Sequence, residues 1–233
     1  MKSTMYLPLN SYKDKETTEW SNFWYDQANV QGGGGGRILL VGDSIARQYR
    51  RSLSEKLKCP VDLFGTSAAL RDSMFWDQWQ CFFKNGLYEY STIFCWVGNH
   101  SRLNEDGNAF FGEQDYRRLY HDFTRLIIEC KSRTRQVVVL STFHIYKWRK
   151  YNNEIERIRR KLGFKPKEYL NDEENVVVEN KNRIMKEISE EHNLPFYDID
   201  AIMMKSKYWH VDFIHYIPES NSFVAEYLCR LLV

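Results

Sequence analysis

The sequence predicts an α/β protein, a three-layer α/β/α sandwich around a five-stranded, mainly parallel sheet. Three observations predict it. Short apolar runs recur along the chain, and the first three end at glycines, Gly42, Gly65 and Gly98. Segments with helical spacing of apolar residues separate them, and no internal repeat imposes another architecture.

Taken in order, residues 1–31 are polar with interspersed rings (Trp20, Phe23, Trp24, Tyr25), which reads as an N-terminal arm or short helix docked on the body. Gly32 to Gly36 then read as a flexible linker. A phosphate cradle would need a strand before these glycines and a helix directly after, and here a strand follows them. Residues 37–233 form the main domain. Ile38-Leu39-Leu40-Val41 is a continuous apolar run, as expected of a central parallel strand buried on both faces. Ala46 to Lys58 follows as a helix, with Leu53 and Leu57 on one face and Pro60 beyond its end.

Val61 to Gly65 is the second strand, and Met74 to Phe83 a helix rich in aromatics. Ser91 to Val97 is the third strand; Gln114 to Cys130 is amphipathic through Leu119, Phe123, Leu126 and Ile127; Gln136 to Leu140 is the fourth strand. Asn175 to His192 reads as a helix through Val178, Ile184, Met185 and Ile188, Leu194 to Asp198 as the fifth strand, and Glu219 to Leu232 as the closing helix.

Composition narrows the function classes. The 233 residues suffice for one substantial core, and 27% charged against 43% hydrophobic residues argues against disorder. A net charge of +2 is too small for general nucleic-acid binding. The five cysteines are odd in number and form no C-x-x-C pair, so they read as reduced, packed thiols rather than a zinc or redox site, and no cofactor is expected. No apolar run approaches the ~20 residues of a membrane span and the start lacks a signal peptide, so the expected location is cytoplasmic.

Sheets of this kind gather ligand sites at the carboxyl ends of their strands, where Ser44, Gly65, Asn99 and His144 fall. Ser44, in Val41-Gly42-Asp43-Ser44, stands between a buried strand and a helix. It reads either as a helix cap, a task Asp43 could share, or as a nucleophile beside outward-pointing backbone N–H groups. Near the C-terminus Asp212 and His215 are three residues apart on a loop leading into a helix, a spacing that lets the carboxylate fold back and fix the imidazole tautomer.

Together these segments resemble the SGNH (GDSL-type) hydrolase superfamily over residues 37–233, which pairs an early Gly-Asp-Ser with a late Asp-x-x-His. The resemblance implies a flavodoxin-like fold and a serine esterase working through an acyl-enzyme without metal or organic cofactor. Ser44 would be the nucleophile, His215 the base and Asp212 its orienter. It further implies an oxyanion hole of the Ser44 N–H, the Gly65 N–H and the Asn99 side chain. Here the chain departs from the family's Gly-x-Asn, because Gly98 and Asn99 are adjacent; His100 is the other candidate for that donor.

Three features outside the triad admit two readings each. His100 and His144 are candidate substrate contacts, with a structural role as the alternative for His144. Lys147 to Lys167 holds nine Lys or Arg against two Glu, either a solvated face or a basic lid for an anionic substrate. Trp76, Trp79 and Trp96 are either core or stacking platforms for sugar rings. The expected substrate is a small-molecule or glycan ester, with carbohydrate O-acetyl groups as the favoured class. The rival functions are an O-acyltransferase using the same residues and a non-catalytic glycan-binding domain on the same fold.

Overall fold

The computed structural model describes residues 23–26, 36–84, 89–96, 100, 112–129, 134–147, 158–159, 161–164 and 168–232. Asn99, most of the basic stretch 147–167 and most of the arm and glycine run lie outside them. The elements, in chain order, are β1 (Phe23–Asp26), β2 (Ile38–Gly42), α1 (Ser44–Leu57), β3 (Val61–Thr66), α2 (Ser73–Lys84), β4 (Tyr90–Cys95), α3 (Glu113–Glu129), β5 (Thr134–Leu140), α4 (Asp172–Glu191), β6 (Phe196–Tyr197), α5 (Ile199–Met204) and α6 (Ser220–Arg230).

The sheet order is β1-β3-β2-β4-β5-β6. β3, β2, β4, β5 and β6 are mutually parallel, the five-stranded sheet of a flavodoxin-like arrangement with the chain reversing direction across the sheet at β2. β1 adds an antiparallel edge strand, with Phe23 level with Thr66 and Asp26 with Leu63. Within the arm, this stretch is a strand where a short helix was the alternative expectation. Three successive aromatics favour extended backbone, and the open edge of β3 offers them a hydrogen-bonding partner.

Alternation along the strands divides the core in two. Leu39, Val41, Phe64, Ile93 and Cys95 face α2, α3 and α4, where Phe64 meets Trp79 edge-on with ring centroids 4.9 Å apart and Trp79 meets Phe123 at 5.1 Å. Ile38, Leu40, Leu63, Phe94 and Val138 face α1, α5 and α6 through Tyr49, Leu53, Met203, Val224 and Leu228. Trp76, Trp79 and Trp96 are all buried, and the Trp76 indole donates to the Leu70 carbonyl at 2.7 Å, so these rings are core residues rather than exposed stacking platforms. No helix among the described residues is long and apolar enough to cross a membrane.

α3 and α4 pack side by side through a ladder of charged pairs, Glu113 with Arg183 at 2.6 Å and Arg117 with Glu187, continued by His121 and His192 with their Nε2 atoms 3.3 Å apart. At the opposite end of the sheet from the carboxyl ends of β2 and β3, Arg37 donates to buried Asp62 at 2.7 Å, and the Tyr90 hydroxyl reaches the other Asp62 oxygen at 3.0 Å.

Candidate active site

The passage from β2 into α1 builds the first half of the site. Gly42 ends the strand where a Cβ would lie 2.8 Å from the Ala46 Cβ and 3.3 Å from Trp96, so only glycine lets strand, helix and indole approach this closely. Asp43 is the cap of α1: its backbone is extended, and its carboxylate accepts the Ile45 N–H at 2.9 Å. Ser44 is therefore the first helical residue, and the capping alternative for it is corrected. With Asp43 doing that work, the Ser44 hydroxyl turns elsewhere, and its N–H, like all first-turn N–H groups, has no partner within the helix.

The hydroxyl meets His215. Ser44 Oγ lies 2.7 Å from Nε2, and Nδ1 lies 2.7 Å from Asp212 Oδ2. The other Asp212 oxygen accepts the Ile214 and His215 backbone N–H groups at 2.8 and 2.7 Å, closing the Asp-x-x-His turn on itself. Burial raises the Asp212 pKa, but the hydrogen bonds from the His215 ring, the His215 N–H and the Ile214 N–H outweigh it and hold the carboxyl below its ordinary range. An ionised Asp212 can only accept, so Nδ1 carries the imidazole proton and Nε2 is left to accept from Ser44.

At the carboxyl ends of the strands a cavity is lined by Gly42, Asp43, Thr66, Ala68, Ala69, Leu70, Phe75, Trp96, His100 and Tyr116; it borders the passage into α1, and neither Ser44 nor His215 is among its lining residues. The loop after β3 forms its rim and is tied to itself. Thr66 Oγ1 accepts the Ala68 N–H at 3.0 Å and donates to Gln78 at 2.6 Å, while Asp72 accepts the Ala69 N–H at 2.7 Å. Burial pushes the Asp72 carboxyl up to about 6, against the lowering effect of that N–H.

The remaining expected site residues are placed unevenly. Gly65 sits inside β3, level with Gly42 on one side and Trp24 on the other, one residue short of the cavity rim. Asn99 lies outside the described residues. His100 lines the cavity. His144 does not: its Nδ1 is hydrogen-bonded to Asp200, its backbone N–H reaches the same carboxylate at 3.0 Å, and its Nε2 faces Glu179 at 3.4 Å. The bond to Asp200 raises the His144 pKa despite partial burial. Its structural role thus has two carboxylates behind it, whereas the substrate-contact reading finds both ring nitrogens engaged.

Two further residues went unread in the sequence. Lys181 is buried on α4, with its ammonium 3.5 Å from the His100 carbonyl and 5.3 Å from the Tyr116 ring centre, so it stands behind two cavity-lining residues. Its signal was present, since it falls in the apolar stripe of Val178, Met185 and Ile188 where a lysine needs a reason. Glu168 binds His210, 42 residues away, and no local pattern announces that contact.

No protein-family model and no curated protein sequence matches the chain. Solved structures do. An acetyl xylan esterase is 13% identical with a TM-score of 0.53, the likeness covering 84% of this chain and 100% of the other. A catalytic histidine mutant of an acetylxylan esterase from Geobacillus stearothermophilus is 14% identical, TM-score 0.54, covering 87% and 96%. A candidate SGNH hydrolase from Slackia heliotrinireducens is 15% identical, TM-score 0.54, covering 86% and 100%. Likeness at such low identity speaks to architecture, and on that footing the chain has the fold of the SGNH hydrolases.

Proposed function

We propose that this chain is a serine esterase of the SGNH type that hydrolyses ester-linked acyl groups through an acyl-enzyme on Ser44. The observation that carries the reading is the continuous relay from Ser44 to His215 to Asp212, with both links at 2.7 Å, at the start of a helix. In this mechanism Ser44 Oγ attacks the carbonyl carbon as its proton passes to His215 Nε2. Asp212 stabilises the resulting imidazolium, and the proton is then given to the departing alcohol oxygen. Water attacks the acyl-Ser44 ester by the same route, and the freed acid leaves.

The negative charge that develops on the carbonyl oxygen falls beside the Ser44 N–H and the positive end of α1, which lowers the barrier at each tetrahedral stage. The Gly65 N–H and the Asn99 side chain are proposed as the second and third donors on the strength of the family resemblance. A carbohydrate acetyl ester is the substrate class we favour, since two of the structural relatives are described as acetyl xylan esterases.

The test compares the protein and its Ser44→Ala variant on p-nitrophenyl acetate and on acetylated xylo-oligosaccharides, with fluorophosphonate labelling in parallel. Expected are turnover and labelling by the parent, and a loss of ~10⁴-fold or more in the variant. Labelling without release of free acid, but with acyl transfer to an added sugar, would identify an acyltransferase; neither turnover nor labelling would sink both enzymatic readings.

A further inference from the structure

The loop that carries Asp212 and His215 belongs to no helix or strand, yet catalysis on the reading above needs both side chains held closely. Part of the restraint lies within the loop: Val211 donates to the His215 carbonyl at 2.7 Å, Ile217 to the Trp209 carbonyl at 2.9 Å, and His210 and Tyr216 stand level in an isolated antiparallel bridge. Another restraint comes from the segment after β5, where the Tyr146 N–H reaches the Phe213 carbonyl at 2.8 Å.

A further tie is a carboxylate. One oxygen of Glu168 accepts both the His210 backbone N–H, at 2.6 Å, and the His210 ring Nδ1, at 3.0 Å. The His210 ring is buried between Tyr146 and Tyr216, with ring centroids 4.0 and 3.8 Å away. Glu168 is itself fixed, because its strip pairs with the stretch after β5: Tyr146 is level with Leu170, Lys147 donates to Tyr169 at 2.8 Å and Asn171 to Ile145 at 2.9 Å.

We propose that Glu168 is a positioning residue for the Asp212–His215 pair, acting through His210. The inference rests on the esterase reading of Ser44. Glu168 touches neither substrate nor the reacting atoms. It fixes both the backbone and the ring of His210 at the base of the loop; the ring packs on Tyr216, the neighbour of His215, and the Val211–His215 backbone bond spans the loop just above. Freeing His210 would therefore loosen both routes at once and let Nε2 drift from Ser44. A misplacement of about 1 Å at a catalytic group is enough to cost ~10²-fold in rate.

Both bonds end on the same oxygen, so a glutamine at this position retains them while removing the charge. The experiment measures kcat and KM on p-nitrophenyl acetate, the melting temperature, and the low-field proton NMR line of His215 Nδ1–H, assigned by its loss in His215→Ala. The set is the parent, Glu168→Ala, Glu168→Gln and His210→Phe, the last of which keeps the backbone bond and the aromatic sandwich. Expected are a fall of ~10²-fold in kcat for Glu168→Ala with KM little changed, a broadened or shifted proton line, and recovery to within ~3-fold of the parent in Glu168→Gln. His210→Phe should lie between.

A Glu168→Ala protein with parental kcat and an unmoved proton line, even one that melts earlier, would overturn the proposal, as would a Glu168→Gln protein as impaired as the alanine variant. If Glu168→Ala does not fold, Glu168→Gln and His210→Phe still decide it. A parent without esterase activity or labelling would remove the reading of Ser44 instead, while the proton line would still report whether Glu168 orders the His215–Asp212 pair.

Discussion

Replacing Asp212 by Asn changes one atom and one charge, and the structure says which consequence matters. The oxygen that accepts from Ile214 and His215 can be kept by the amide, so the turn retains its 2.8 and 2.7 Å backbone bonds. The other position becomes an NH₂ group 2.7 Å from His215 Nδ1. A donor there forces Nδ1 to accept, the ring proton moves to Nε2, and Nε2 then donates toward Ser44 instead of taking its proton. On the proposed esterase mechanism, the wrong tautomer in an otherwise intact triad costs ~10⁴-fold in kcat, or about 5 kcal/mol of transition-state stabilisation. Stability should change by only about 1 kcal/mol, the difference between a charged and a neutral hydrogen bond. Steady-state hydrolysis of p-nitrophenyl acetate at pH 7, beside a thermal melt, measures both. An Asp212→Asn enzyme within ten-fold of the parent would refute the tautomer argument, and so would an equal loss accompanied by collapse of the melting temperature.

Three further outcomes follow from the packing and the charges. Asp72→Asn should stabilise the protein at pH 8 more than at pH 4: a carboxyl raised from 3.8 to about 6 binds its proton more tightly when folded, so the parent loses stability as pH rises between those values, by roughly 3 kcal/mol. Parallel melts across that range would show the difference, and a pH-independent gap would contradict it. Gly42→Ala should cost about 1–3 kcal/mol and lower kcat as well, because the new methyl at 2.8 Å from Ala46 pushes on the helix that carries Ser44; denaturant titration and turnover check the two effects. Asp62→Ala should cost about 1–3 kcal/mol by removing the carboxylate that binds Arg37 and the Tyr90 hydroxyl, yet leave kcat unchanged, since Asp62 lies at the far end of β3 from the cavity.

Much of this arrangement was legible because it is local. Ile38 to Gly42 is apolar at every position, which only a strand buried on both faces requires, and the site follows from where such a strand must end. The Asp212–His215 turn is likewise encoded in four consecutive residues. Other features depend on contacts that sequence spacing does not carry. Whether Asp43 or Ser44 caps α1 turns on one dihedral setting. His144 stands at a strand end like a site residue, and only the arrival of Asp200 and Glu179 from later elements ties it down. The strand at Phe23–Asp26 has no alternating pattern to reveal it and exists because the flank of β3 was open. Glu168 is silent for the same reason: its meaning is supplied by a partner 42 residues away.

That added strand bears on where the folded unit begins. Composition draws a boundary at the glycine run, but hydrogen bonding continues across it, since Phe23–Asp26 joins the sheet and Ile38–Gly42 lies one strand further in. The strand before the glycine run and the strand after it are thus members of one sheet. A protein trimmed to residue 37 would carry its catalytic groups intact while presenting Leu63 to Thr66 as an unmated margin, an invitation to the same strip of another molecule. Its shortcoming would be social rather than chemical: full turnover when dilute, and progressive self-association as concentration rises.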